Sequence, residues 1–386
     1  MRSELATRTS ETAGTLQNSP GSFYKPELDV LRFFAFFAVF VFHAVAYSID
    51  FLVQHRVPLW AARIGLNFAH TGKYGVDLFF ILSAYLITEL LLREKEATER
   101  LNVAAFYLRR ILRIWPLYYL FIATVTLVPF LDPHHEFTSR YVLAFVVLMG
   151  NWSFVLFGTP QSVAVPLWSV TVEEQFYLLW PPVVARLSRQ QIIWAAFALI
   201  CMANISRPLA VAMHQNEWQL WFNTFAHLDS IASGILLAVL WRGKVPSFKY
   251  GTRLGLMASG VAYLVLVEHF ANQDGFLSPL RMAVASPLVP PACTAILASF
   301  LDWPLRLPIL QYLGKISYGL YVFHVTGLSV IDKLFPGGGA GSAHACARLL
   351  FSLGITIVIS VVSYEVVEKP FLKLKRRFTY VNSRPV

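Results

Sequence analysis

The chain has 386 residues, 56% of them hydrophobic and 14% charged, with a net charge of +10. A soluble domain is about 45–50% apolar and about 25% charged, so this much apolar surface needs lipid to cover it and excludes a single water-soluble globule. The basic residues fall in clusters between apolar runs, the pattern of a multi-pass membrane protein obeying the positive-inside bias; nucleic acid is not an expected partner.

Met1 to Gly21 is rich in Ser, Thr and Glu and predicts a disordered tail. It lacks the basic-then-apolar layout of a cleaved signal peptide, so the first apolar run is expected to stay as a helix. Eleven apolar runs follow, near Leu28–Tyr47, Gly75–Leu92, Ile114–Phe130, Tyr141–Phe157, Val170–Val184, Gln191–Ser206, Phe225–Leu240, Leu254–Phe270, Met282–Leu301, Ile309–Val330 and Ala345–Val367. Their lengths suit spanning helices, and no long alternating pattern argues for a barrel. The expected fold is an all-α polytopic bundle: a tail over 1–24, a transmembrane domain over 25–374 and a basic tail over 375–386.

Positive charge sets the expected orientation. Arg93, Lys95, Arg100, Arg109, Arg110 and Arg113 put the loop after the second run in the cytoplasm, and with it the N-terminus. The later clusters, Arg186 with Arg189, Arg242 to Arg253, and Lys369 to Arg377, belong on the same side. Eleven full crossings break that parity. It is restored if Tyr141–Phe157 or Val170–Val184 is re-entrant, leaving about ten spans with both termini inside a plasma (inner) membrane. The second of these runs is short, carries Glu173 and Glu174, and contains Pro181 and Pro182. Three widely spaced cysteines show no metal-ligand pattern, and no metal site is expected.

Charged groups inside a bilayer are costly and usually face a bundle interior. In the first run Arg32 and His43 are eleven residues apart, almost three turns, so they share a face about 16 Å apart along the axis. Asp29 can pair with Arg32. That pair reads equally as a headgroup-level structural feature or as part of a site, whereas His43, deep in a Phe-rich helix, reads as functional. Asp77 is either a helix N-cap or a functional carboxylate, and Ser83 is expected to pack or bond back to its own helix. Arg110 and Arg113, one turn apart, suit topology and lipid headgroups, or a phosphate site built from guanidinium forks. The segment "VPLWSVTVEEQFYLLWPP" brings Trp168, Ser169, Glu173, Glu174, Gln175 and Tyr177 together, and adjacent carboxylates on a helix allow at most one to face inward. His324 is the second imidazole placed deep in an apolar run, and Glu368 reads as a helix-end feature.

Taken in order, the Arg32-x10-His43 pair, "GVDLFFILSAYLIT", "RRILRIWPLYY", "LWSVTVEEQFYLLWP", "LGKISYGLYVFH" and "SYEVVEKPFL" resemble the acyltransferase-3 family of integral membrane acyltransferases over roughly Leu28 to Leu374. The resemblance implies about ten helices and an acyl-CoA donor, acetyl-CoA foremost, reached from the cytoplasm. It implies transfer to a hydroxyl of a carbohydrate, a lipid-linked glycan or a secondary metabolite, with no permanently bound cofactor. Ala84 departs from a frequent family glycine, which should alter helix packing and not chemistry. Some relatives carry an extra soluble hydrolase-like domain that completes transfer outside; this chain ends soon after its last helix.

Acyl transfer to an alcohol needs a base for the hydroxyl proton and donors for the oxyanion. The expected roles are His43 as base, oriented by Glu173 or Glu174, and Arg32, Arg110 and Arg113 holding the donor's phosphates. Ser169, Tyr177 and Arg32 are oxyanion-donor candidates, and Asp77 and His324 are further site candidates. An acyl-histidine relay would use the same imidazole. The competing class is a proton-coupled transporter of a small solute or acylated glycan, using the same buried groups without chemistry.

Overall fold

The structure is a computed structural model that describes residues 23–45, 58–128, 136–272, 278–335 and 342–378. The expected disordered stretch 1–21 and most of the basic tail lie outside the described residues. Within them every regular element is helical.

Helix α1, Pro26–Ala44, starts with proline at its first position and carries Glu27 and Asp29 in its first turn, both suited to a helix N-terminus. Helix α2, Leu59–Thr71, runs through a 3-10 turn, Gly72–Tyr74, into α3, Gly75–Thr98. Glycine is required at that bend. A Cβ on Gly72 would lie 2.1 Å from the Ala38 carbonyl oxygen of α1, and one on Gly75 2.5 Å from that of Ala35. The sequence reading missed α2, which is only 13 residues long. Helix α4, Val103–Leu127, is capped by Asn102, whose side chain accepts from the Ala105 amide.

The next apolar run resolves which segment is broken. Tyr141–Phe157 folds as two eight-residue helices, α5 (Ser139–Val146) and α6 (Gly150–Phe157), separated at Leu148, where φ is +62°. Each is about 12 Å long, too short for a hydrocarbon core of about 30 Å. By contrast α7, Leu167–Arg186, is continuous for 20 residues through Pro181 and Pro182. Pro182 has no N–H for the Leu178 carbonyl, and the Tyr107 hydroxyl donates to that carbonyl instead at 2.6 Å.

Capping boxes at Ser188/Gln191 and Asn216/Gln219 start α8 (Arg189–Ala212) and α9 (Glu217–Phe222). Then follow α10 (Leu228–Leu240, after a 3-10 turn Thr224–His227), α11 (Tyr250–Ala271), α12 (Pro279–Ala285), α13 (Val289–Phe300), α14 (Pro308–Lys315) and α15 (Ser317–Leu334). The last are α16 (Ser342–Ser363), a π-helical turn Tyr364–Glu368, and α17 (Lys369–Lys375).

Six helices among the described residues are long and apolar enough to cross a membrane: Leu59–Thr98, Val103–Leu127, Arg189–Ala212, Tyr250–Ala271, Pro279–Phe300 and Ala347–Lys375. The shorter apolar helix Thr224–Leu240 adds to these, and α1, α7 and α15 are helices of 18–20 residues packed among them; six is fewer than the ten spans expected from the apolar runs. The central helix is α3: the span Leu59–Thr98 that it forms with α2 is 78% buried over its apolar stretch, against 22% for α8 and 28% for α11. It packs against α1, α7, α10 and α13. Ala84 is fully buried there, and a Cβ on Gly234 of α10 would lie 2.9 Å from its own Cβ, so the departure from glycine is met by small-residue packing.

The basic clusters meet at one end of the bundle. Arg242 bonds Glu89 and Glu96, Arg109 reaches Glu94 and the Phe378 carbonyl, Lys95 donates to the Val184 and Leu187 carbonyls, and Arg189 donates to that of Val239. The side-by-side placement of these clusters is what the parity argument requires.

Candidate active site

A cavity lies at this basic end among α1, α3, α4, α7 and α15, with about 1170 Å³ of space free of atoms, open solvent included. Phe23, Tyr24 and Lys25 line it from the segment before α1, its apolar lining includes Phe79, Leu86, Ile87 and Leu90, and its polar lining Arg32, Arg110, Arg113, Ser83, Glu173, Tyr177, Ser169 and Tyr321. Arg32 is held at 2.7 Å by Asp29, which also accepts from the Tyr24 hydroxyl at 3.0 Å. The helix spacing that predicted the Asp29–Arg32 pair is therefore realised, and the pair faces the cavity.

Arg110 and Arg113 stand across from it on α4. Neither forms an ion pair among the described residues, and the buried Nε of Arg110 has no hydrogen-bond partner there. The Arg110 guanidinium is packed over the rings of Phe106 and Tyr177, at 5.3 and 5.6 Å from their centroids. Four cationic side chains line the cavity (Lys25, Arg32, Arg110, Arg113) against two carboxylates (Asp29, Glu173), so its charged lining is net positive. Arg109, in the same sequence cluster, faces elsewhere: it is buried in an ion pair with Glu94 at 2.7 Å and braces the fold.

Both neighbouring glutamates turn inward, contrary to the expectation that only one could, because α7 is covered on two sides. Glu173 faces the cavity, accepting from Ser83 Oγ at 3.0 Å and from the Tyr177 hydroxyl at 2.9 Å. Ser83 therefore does not bond back to its own helix. Glu174 faces α4 and accepts from Trp115 Nε1 at 2.8 Å, while its other oxygen is buried without a partner among the described residues.

His43 and His324 form a separate pair. His43 lies in the last turn of α1, and its side chain is accessible. His324 is fully buried. The rings are 4.9 Å apart, with His324 Nε2 3.3 Å from His43 Nδ1. The expected orienting contact from Glu173 or Glu174 to His43 is not made: both carboxylates are bonded to other groups, and His43 Nδ1 faces the Val39 carbonyl at 2.9 Å. Tyr321 links the two regions. Its hydroxyl lies 2.7 Å from Ser169 Oγ on the cavity wall, its ring centroid is 5.4 Å from that of His324, and its carbonyl lies 2.5 Å from His324 Nδ1. Tyr321 was missed in the sequence, although its spacing from His324 puts it one turn away.

Asp77 belongs to neither group and caps no helix. It is buried, accepting from Ser230 Oγ at 2.8 Å and lying 3.1 Å from His227 Nδ1, beside the buried Arg207–Asp229 ion pair at 2.7 Å. Among the described residues no cluster of three His, Cys, Asp or Glu side chains could hold a metal ion.

A polytopic helical bundle with a guanidinium-lined cavity at its basic end and an imidazole pair beyond it defines the class as a multi-pass membrane protein with a polar site inside its helices. A family model described as an acyltransferase domain matches residues 25–365, and the chain belongs to that acyltransferase-3 family. It is 27% identical over 372 residues to a Bacillus subtilis protein named "Putative peptidoglycan O-acetyltransferase YrhL", covering 90% of this chain and 55% of that protein. It is 26% identical over 379 residues to the O-acetyltransferase OatA of Staphylococcus aureus, covering 91% of this chain and 57% of that protein. The chain thus spans little more than half the length of these relatives. No solved structure matches it.

Proposed function

We propose that this chain is a membrane O-acyltransferase that takes an acetyl group from acetyl-CoA at the cytoplasmic face and passes it to a hydroxyl of a carbohydrate or glycan precursor. The observation that carries this reading is the excess of cations over carboxylates lining the cavity: Arg110 and Arg113 form no ion pair among the described residues, and a CoA donor brings phosphates. Guanidinium forks match phosphate oxygens two donors at a time. The basic end is read as cytoplasmic from its charge clusters, and with it both termini on the cytoplasmic side of the plasma membrane. The names of the relatives point to peptidoglycan-type glycan as one acceptor class.

In this reading the phosphates rest on Arg32, Arg110 and Arg113, and the pantetheine arm follows the apolar wall toward Ser169 and Tyr321. Arg32 and His43 share one helix face about 16 Å apart, a separation that an extended arm bridges. The acceptor hydroxyl attacks the thioester carbonyl as His43 removes its proton. The tetrahedral intermediate collapses with cleavage of the C–S bond, and the imidazolium returns the proton to the departing thiolate. The Ser169 and Tyr321 hydroxyls, 2.7 Å apart at the inner wall, are the nearest candidate donors to the oxyanion.

The test is CoA release by the purified protein supplied with acetyl-CoA, with His43→Gln as control. Glutamine keeps polarity and cannot take a proton at neutral pH. Loss of a general base costs about 10²–10⁴-fold in rate. Release that falls by this factor while acetyl-CoA still binds supports the reading; near-native turnover in His43→Gln refutes His43 as base.

A further inference from the structure

We infer that His324 is the positioning residue for His43, the partner that fixes its tautomer and ring angle, a role that a carboxylate fills in many acyl-transfer sites. The inference rests on the reading of His43 as base.

It follows from what each ring nitrogen faces. The Tyr321 carbonyl, 2.5 Å from His324 Nδ1, can only accept a hydrogen bond, so Nδ1 carries the proton. A neutral imidazole then has a bare lone pair on Nε2. That nitrogen lies 3.3 Å from His43 Nδ1. His43 Nδ1 in turn faces the Val39 carbonyl at 2.9 Å, so it also carries a proton, shared between the Val39 carbonyl and His324 Nε2. The one nitrogen left without a described partner is His43 Nε2. It therefore holds the lone pair, on an exposed ring at the helix end, where an acceptor hydroxyl can reach it.

When His43 Nε2 takes a proton, the ring becomes an imidazolium and its Nδ1–H becomes a stronger donor. The nearest uncommitted lone pair is His324 Nε2. His324 is 0% exposed and held edge-on by Phe36, with ring centroids 6.3 Å apart, and by Tyr321, so it cannot swing away or exchange its role with water. Two acceptors on one N–H fix the direction in which Nε2 points. Without His324 the Val39 carbonyl remains, but the ring is free to turn about that single contact. The glutamates cannot substitute, since Glu173 is committed to Ser83 and Tyr177, and Glu174 to Trp115.

The experiment compares His324→Phe, His324→Gln and His43→Gln in the full-length protein, using acetyl-CoA as donor and CoA release as readout. Phenylalanine keeps a ring between Phe36 and Tyr321 but offers no lone pair; glutamine offers a carbonyl near the position of Nε2. The expected result is a kcat lowered about 10–100-fold in His324→Phe, an unchanged KM for acetyl-CoA, and at least partial recovery in His324→Gln, on the scale of a portion of general-base assistance. Loss in His43→Gln with native kcat in His324→Phe overturns the positioning role alone. Native turnover in His43→Gln overturns the underlying reading. A His324→Phe protein that loses acetyl-CoA binding and kcat together, and is not rescued by glutamine, assigns His324 to packing and overturns the inference as well.

Discussion

The Tyr177 hydroxyl lies 2.9 Å from Oε2 of Glu173, one helical turn back on α7, while the ring of the same tyrosine lies under the Arg110 guanidinium. One side chain thus ties the cavity's carboxylate to one of its cations. The two halves of this contact can be separated by substitution. Tyr177→Phe keeps the aromatic face and removes the donor to Glu173, leaving a carboxylate oxygen short of a partner, which costs about 1–3 kcal/mol. Tyr177→Ala also removes the face under Arg110. Thermal unfolding in detergent should show both variants destabilised, while acetyl-CoA affinity should fall clearly only in Tyr177→Ala. Equal loss of affinity in the phenylalanine variant would show that the hydroxyl, not the ring, serves the donor site.

Arg110 and Arg113 give a sharper test of phosphate binding. Lysine keeps the positive charge and the topological signal but loses the planar fork. The double variant Arg110→Lys/Arg113→Lys should still insert correctly and bind acetyl-CoA at least about 10-fold more weakly, one lost charge-assisted contact of about 1.5–3 kcal/mol being enough for that factor. Titration calorimetry on purified protein measures it. Unaltered affinity would make these arginines purely topological.

How much of this was legible in the sequence differs residue by residue. Helix periodicity alone placed Asp29 against Arg32 and put Arg110 and Arg113 on one side of α4, because these are contacts or faces within a single helix. The Ser83–Glu173 bond and the His43–His324 pair join residues 90 and 281 positions apart, and no local pattern encodes which helices meet. The failure over Glu174 has the same origin: a helix covered on two sides has two inward faces, and the covering helices are distant in sequence. The break between α5 and α6 was half legible: charge parity left it between this run and Val170–Val184. The positive φ of +62° falls on a leucine, Leu148, and not on Gly150 two residues later, so no residue type marks the turn at its own position.

Topology is the next prediction. All the basic clusters lie at one end of the bundle, so the positive-inside bias assigns that end to the cytoplasm. A periplasmic phosphatase fused after Phe378 should be inactive, and a cytoplasmic reporter at the same point active. An active phosphatase there would reverse the orientation and put the guanidinium-lined cavity on the face where no acetyl-CoA is available.

The packing of α14 on α1 links stability to the donor site through one glycine. A Cβ on Gly314 would lie 1.7 Å from the Asp29 carbonyl oxygen and 2.4 Å from its carbon, so the two helices touch backbone to backbone at that point. Neither contact atom can rotate aside, and Asp29 is the residue that holds Arg32 at the cavity wall. Gly314→Ala must therefore push α14 and α1 apart. Overpacking of this kind costs about 1–3 kcal/mol or more, and the movement should carry Arg32 with it and weaken acetyl-CoA binding. Gly255 supplies the control: it lies within α11, is exposed, and has no atom within 4 Å of an added Cβ. Alanine there should be neutral or raise stability by about 0.4–1 kcal/mol through chain entropy and helix propensity. Measured side by side, Gly314→Ala should lower both the unfolding temperature and the donor affinity, and Gly255→Ala neither. If Gly314→Ala unfolds like the native protein and binds acetyl-CoA normally, the close approach of α14 to α1 does not set the position of Arg32.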